Sequence, residues 1–253
     1  MPRDNRPRVE EPATEKEVSV RAFGGHLRGV LRVAMTLDGR FALTTGRDGA
    51  VISWDLGDDL ESIEGSPANP IHVSESGEET IGLALTTDGR YAAFGDSRGS
   101  IHVVSNPSPN SPTISINSLH SAHSTNRDVA GLAFCELEEG PELLRDLELI
   151  SACNDGKLKR WDLRLRGGDF LEIGGCLVDS NTMYEGLYNV SMSPNEGTIV
   201  GGVTSKGILL WTGFMSFGTI LIETNLAGMA PVSVTRDGYY CFVGGDVGTV
   251  TQL

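Results

Sequence analysis

"ISACNDGKLKRWDLR", residues 150–164, sets a turn dipeptide, Asp155-Gly156, ahead of Trp161, Asp162 and Arg164. Apolar residues on both sides of the dipeptide predict two strands joined by a tight hairpin, because glycine supplies the positive φ such a turn demands. The polar residues of the stretch then have three uses open to them: catalysis, docking to another protein, or holding the two strands together.

The same pattern is written four more times. It recurs in "VAMTLDGRFALTTGRDGAVISWDL" (33–56), "LALTTDGRYAAFGDSRGSIHVVS" (83–105), "SMSPNEGTIVGGVTSKGILLWTG" (191–213) and "SVTRDGYYCFVGGDVGTVTQL" (233–253). Each copy reads as an alternating strand, a turn, a second strand, a Gly-containing turn and a third strand. In the copy around residue 150 an insertion, "ELEEGPELLRDLE" (136–148), replaces the first turn. The second turns end on Gly49, Gly99, Gly156, Gly207 and Gly248, about fifty residues apart, a period at which one supersecondary unit repeats and buries its faces against its neighbours. Between the copies lie the shorter runs "PIHVSE" (70–75), "TISINSL" (113–119), "DFLEIGGCLV" (169–178) and "GTILIE" (218–223), which supply a fourth strand to each unit. The expected class is all-β: a β-propeller of four-stranded antiparallel blades with five recognisable repeats. No helical pattern competes with it.

On these residues the chain resembles the WD-repeat propellers, and the resemblance runs from about residue 17 to 253. In that family a histidine before the first strand, a Ser or Thr on the second, an Asp in the following turn and a Trp on the third are hydrogen-bonded together. Copy 1 matches with His26, Thr44, Asp48 and Trp54, and copy 3 with His123, Ser151, Asp155 and Trp161. The other copies depart: copy 2 has Arg98 and Val104 at the Asp and Trp positions, copy 4 has Lys206 and Trp211, and copy 5 has Val247 and Leu253. The resemblance implies that the matching residues are structural. A Thr–His–Asp set such as Thr44, His26 and Asp48 also carries the residue types of a nucleophile system. Its recurrence in copy 3 favours the structural use, since one active site needs only one set.

The totals narrow the function classes. There are 32 glycines and only 6% aromatic residues, a mixture suited to short strands and tight turns. The net charge of −14 repels phosphate backbones, which argues against direct nucleic-acid binding. Cys135, Cys153, Cys176 and Cys241 are widely spaced and form no metal-ligand pair, as in reduced cytoplasmic or nuclear proteins. Neither a membrane span nor a secretory signal is legible, so the sequon at Asn189 reads as chance. "GGDVG" (244–248) lacks the Lys-Ser/Thr of a phosphate loop and reads as a turn. No cofactor is expected. A propeller enzyme is the remote alternative, and no cluster of metal ligands or carboxylates marks one.

Residues 1–16 mix arginines with acids without apolar periodicity and read as a disordered tail, followed by one propeller domain over 17–253. The ring has two readings. "EVSVRAF" (17–23) has strand alternation and no unit of its own, and it could close the last blade as its outer strand; otherwise the five units are an incomplete seven-blade ring. The function implied is a non-catalytic scaffold for other proteins or peptides, binding through loops at the end of the blades that carries the second turns. The candidate partner-binding residues there are Arg28, Arg47, Asp128 and Asn154, with Met183 and Tyr184 in "NTMYEGLY"; Tyr188 either joins them or packs inside. At the other end, Glu136, Glu138, Glu139, Glu142, Asp146 and Glu148 form either a surface for a basic partner or a solvated loop. Ser108-Pro109 and Ser111-Pro112 are proline-directed phosphorylation motifs in a loop. Residues 149–164 also fit, at Asp155, Trp161, Asp162 and Arg164, the pattern of propellers that serve as substrate receptors of cullin-RING ubiquitin ligases. By that resemblance Arg164 would reach the ligase's adaptor.

Overall fold

Alternating apolar residues and paired turns fold the described residues into five antiparallel sheets, each taken from a continuous stretch of sequence. The computed structural model describes residues 22–57, 69–74, 77–136, 147–166, 170–179, 186–192, 199–203, 207–212, 218–223, 231–235, 239–244 and 250–252. Sheet 1 runs β1 (Val30–Met35), β2 (Phe41–Gly46), β3 (Ala50–Asp55) and β4 (Asn69–Val73). Sheet 2 follows with β5 (Thr80–Leu85), β6 (Tyr91–Asp96), β7 (Ile101–Ser105) and β8 (Ser115–Leu119). Sheet 3 has β9 (Val129–Glu136), β10 (Leu147–Cys153), β11 (Leu158–Arg166) and β12 (Phe170–Asp179). Sheet 4 has β13 (Leu187–Met192), β14 (Ile199–Val203), β15 (Gly207–Thr212) and β16 (Gly218–Glu223). Sheet 5 has β17 (Val232–Val234), β18 (Cys241–Gly244) and β19 (Val250–Gln252). The runs between the copies thus become the fourth strands of sheets 1 to 4, as their composition predicts. Among the described residues there is no helix long and apolar enough to cross a membrane.

Pairing fixes a common register. Thr44 faces Ile52, Phe94 faces His102 and Ser151 faces Lys159, so the second hairpins are centred on Asp48, Arg98 and Asp155. The glycine after each centre has φ of 75°, 86° and 81°, the left-handed conformation that a side chain resists. In sheet 5 Gly244 faces Val250, and Val247 lies outside the described residues. Sheet 4 corrects the sequence reading. There Gly201 faces Leu209 and Gly207 faces Val203 as the first residue of β15, while Lys206 lies outside the described residues. Gly207 opens a strand instead of ending a turn; glycine serves both purposes, and only the pairing separates them.

Successive sheets pack by one rule. The first strands lie side by side, β1 on β5, β5 on β9, β9 on β13 and β13 on β17. At the joint of sheets 1 and 2, Leu83 and Leu85 of β5 pack on Phe41, Leu43 and Val51. At the next joint, Leu132 and Phe134 of β9 take the same positions over Tyr91, Ala93 and Ile101. Val232 and Val234 of β17 meet Ile208 in the same way. The third-strand position of the rule, held by Val51, Ile101, Leu158 and Ile208, is 0% exposed in all four sheets. Burying a side chain of this size stabilises by about 1.5–3 kcal/mol.

Both flanks of the series depart from this rule. Val33 and Met35 of β1, equivalent to Leu83 and Leu85, are 69% and 62% exposed. On sheet 5 the positions equivalent to Phe41, Leu43 and Val51 are Tyr240, Phe242 and Val250, and all three are exposed. The closing-strand expectation falls on residues 17–21, outside the described residues, as does the tail at 1–16. Phe23, at the end of that run, packs on Trp54 with ring centroids 5.7 Å apart.

Three hydrogen bonds anchor the Ser-Pro loop to sheet 1. Ser53 donates to the carbonyl of Pro107 at 2.8 Å, Asn69 to that of Pro109 at 2.7 Å, and Asn110 to the Asp55 carboxylate at 2.8 Å. The segment after β7 therefore ties sheet 2 to sheet 1.

Candidate functional site

In copy 1 the residues singled out by sequence form one continuous network. Trp54 Nε1–H donates to Thr44 Oγ1 at 2.8 Å, and the hydroxyl lies 2.7 Å from His26 Nε2. His26 Nδ1 lies 3.0 Å from Asp48 Oδ1. The carboxylate also accepts the backbone N–H of Leu27 at 2.6 Å and of Ala50 at 3.1 Å. One proton arrangement satisfies every group: Trp to hydroxyl, hydroxyl to Nε2, and Nδ1–H to carboxylate. The space is tight, because a Cβ on Gly46 would lie 2.5 Å from His26 Nδ1 and 2.7 Å from Asp48 Oδ1.

Copy 3 repeats the set. Trp161 Nε1–H donates to Ser151 Oγ at 2.8 Å, and the hydroxyl is 2.7 Å from His123 Nε2. Asp155 Oδ2 lies 3.3 Å from His123 Nδ1 and accepts the Ser124 N–H at 3.0 Å, while Oδ1 accepts the Lys157 N–H at 3.0 Å. Burial by itself would raise the Asp155 pKa, but the bonds from His123, Ser124 and Lys157 outweigh it and hold the carboxyl below the ordinary range. Cys153 stands where copy 1 has Gly46, and burial pushes its thiol up. His123, Cys153 and Asp155 bring three metal-ligand atom types within 4.8 Å of one another. Here Asp155 N–H donates to Cys153 Sγ at 3.4 Å and the other two residues bond each other, so the group is satisfied by the protein itself.

Copy 2 holds a network that the sequence reading missed. Arg98 occupies the hairpin centre, but Asp96, two residues earlier, accepts the N–H groups of Arg98 at 2.9 Å and Ser100 at 2.8 Å. His102, the second residue of β7, lies 3.3 Å from Asp96 Oδ2 and 2.7 Å from Ser118 Oγ. Its ring stacks on Phe94 at 4.5 Å and 13°. The carboxylate and imidazole survive at other positions, and His102 and Asp96 in "FGDSRGSIH" were the available signal.

The proposed partner residues divide between the two ends of the sheets. Arg47 N–H donates to the Gly29 carbonyl at 2.9 Å, and Asn154 N–H to the Asp128 carbonyl at 2.9 Å, so the second turns and the entries to the first strands share one end. Arg28 and Arg47 are exposed there, and Asp128 and Asn154 half-buried. Burial, with Glu79 nearby, raises the Asp128 pKa against the opposing bond from Asn154. Met183 and Tyr184 lie outside the described residues. Arg164 belongs to the opposite end, exposed and donating from Nε to Asp162 Oδ2 at 2.6 Å. The acidic surface of copy 3 loses a member: Glu148 is buried on β10 and accepts two bonds from Arg160, at 2.5 and 2.6 Å. No family model and no curated protein matches the chain.

The electrostatics predict a two-step response to acid. The folded pKa values of Asp48, Asp96 and Asp155 are depressed, in each case by hydrogen bonds that overcome burial. Their stabilisation is complete above the unfolded carboxyl value of about 4 and is lost as pH falls below it. His72 is depressed by burial first and then by neighbouring His102, against the fields of Asp96 and Glu78. Its contribution is present above its unfolded value, about 6.5, and is lost as pH falls through the range below. Thermal melts from pH 7.5 to 3 should show a shallow loss that sets in below about pH 6.5 and a steep one below about 4. His72→Gln should abolish only the shallow loss; a shallow loss that persists would assign it to another group.

Proposed function

We infer that this chain is a non-catalytic scaffold of the WD-repeat propeller type, working in the cytoplasm or nucleus and binding other proteins or peptides. The observation that carries the reading is how the histidine networks are used. In copies 1 and 3 each hydroxyl also accepts its tryptophan N–H and each carboxylate takes turn N–H groups, so the set braces its hairpin, and in copy 3 Ser151 is 0% exposed, out of a substrate's reach. At the frame's edge Arg28 and Arg47 extend into solvent beside the turns, as a partner-reading end requires. The sheets act as blades, and the exposure of Val33 and Val250 favours an incomplete ring over one closed by the chain itself.

A second reading keeps the same frame but uses the other end. The exposed Arg164, braced by Asp162 beyond Trp161, supports a receptor for a ubiquitin-ligase adaptor. One experiment separates them. Partners captured from cell lysate with wild type are compared with those of Arg28→Glu/Arg47→Glu and of Arg164→Glu. The scaffold reading expects the double variant to lose its main partners by at least about tenfold, with little change for Arg164→Glu. Loss of ligase components with Arg164→Glu alone would favour the receptor, and unchanged capture by both would reject both surfaces.

A further inference from the structure

The two flanks of the sheet series are the two halves of one joint. Inside the chain, the positions held by Val33 and Met35 are covered by those held by Phe41, Leu43 and Val51 in the preceding sheet at the joints of sheets 1 with 2 and 2 with 3, and Ile208 covers Val232 and Val234 at the joint of sheets 4 and 5. Sheet 1 carries the first half uncovered. It also carries a hollow of 460 Å³ on that flank, lined by Phe23, Val30, Val33, Met35, Trp54 and Leu56. Sheet 5 carries the second half uncovered, as Tyr240, Phe242 and Val250.

We propose that the flank of sheet 5 in one copy of this chain seats on the flank of sheet 1 in a second copy, continuing the stack of sheets from chain to chain. A second copy is the occupant because it necessarily presents the matching half in the matching register. The contact is head-to-tail: the surface given differs from the surface received, so association does not stop at a dimer unless the rotation closes a ring. Each chain carries a net charge of −14, which opposes the approach of two copies. Salt screens that repulsion without weakening apolar contacts, so association strengthens as ionic strength rises. The inference rests on the shared register and is independent of the scaffold reading, so a failed partner capture leaves it standing.

Sedimentation of purified chain over a wide concentration range tests it, with Met35→Glu and Phe242→Glu as probes. Each substitution places an unpaired carboxylate in the joint and should weaken self-association by at least about 100-fold. Wild type should show a mass that climbs with concentration past a dimer, and each variant alone should stay monomeric. Mixed together, the variants should form a 1:1 dimer and nothing larger, because one intact pair of flanks remains between them. Both positions are exposed in the single chain, so both variants should keep the circular dichroism of wild type; if either loses it, Val33→Gln and Val250→Gln serve in its place. The proposal is overturned if wild type stays monomeric at every concentration, if association survives both substitutions, or if the folded variants fail to complement each other.

Discussion

Asp155→Ala lowers the unfolding free energy by about 3 kcal/mol, because it takes the acceptor from the buried His123 and from two turn N–H groups at once. His123 loses its acceptor at Nδ1, and the N–H groups of Ser124 and Lys157 lose theirs. The loss spreads along the network, since the imidazole then has one fewer bond to hold it against Ser151 and Trp161. Arg98→Ala, at the same hairpin position in sheet 2, removes a half-exposed side chain that offers the turn no acceptor, and Glu78 keeps its bond from Ser74, so it should cost clearly less than Asp155→Ala. Chemical denaturation of the two variants compares the positions directly. Equal losses would mean that the register, or the structural use of the network, is wrong.

Arg160→Ala is the other costly change, at about 3–5 kcal/mol. Glu148 takes the position on β10 that Phe41 takes on β2, at the face where the next sheet packs, and both members of the pair are nearly buried. Removing the guanidinium leaves a carboxylate in an apolar joint. The charge itself is not what the fold requires. Glu148→Leu/Arg160→Met should therefore recover most of the loss, because apolar partners of similar volume avoid desolvating two ions. A double variant as unstable as Arg160→Ala would show that the pair is needed for its geometry.

The parts of the fold legible in the sequence are those governed by short-range chemistry. Asp-Gly turns and period-two alternation marked the hairpins, and the composition of the intervening runs marked the fourth strands. The networks of copies 1 and 3 were legible through the family resemblance: Ser/Thr, Asp and Trp keep one spacing about the second turn, while the histidine stands 22 residues before the Asp in copy 1 and 32 in copy 3. Copy 2 was not, since Asp96 and His102 meet through pairing across β6 and β7, which spacing does not encode. Glu148 read as one more surface acid because its partner lies across the hairpin on β11. Gly207 read as the end of a turn but opens β15, for a glycine carries no mark of which it does. The flanks could not be read at all: whether Val33 or Val250 is covered depends on a neighbouring sheet, not on its own stretch of chain.

The most direct test of five equivalent sheets is native-state hydrogen exchange on their second strands. Each of β2, β6, β10, β14 and β18 is paired on both sides, and all but sheet 5 have four strands. If the five copies fold as one packed series, amides of Leu43, Ala93, Ile150, Val200 and Val243 should exchange only through opening of the whole series, with similar and maximal protection. Strong protection in sheets 1 to 3 with rapid exchange at Val200 and Val243 would contradict the account, leaving three sheets that pack by this rule and two that do not.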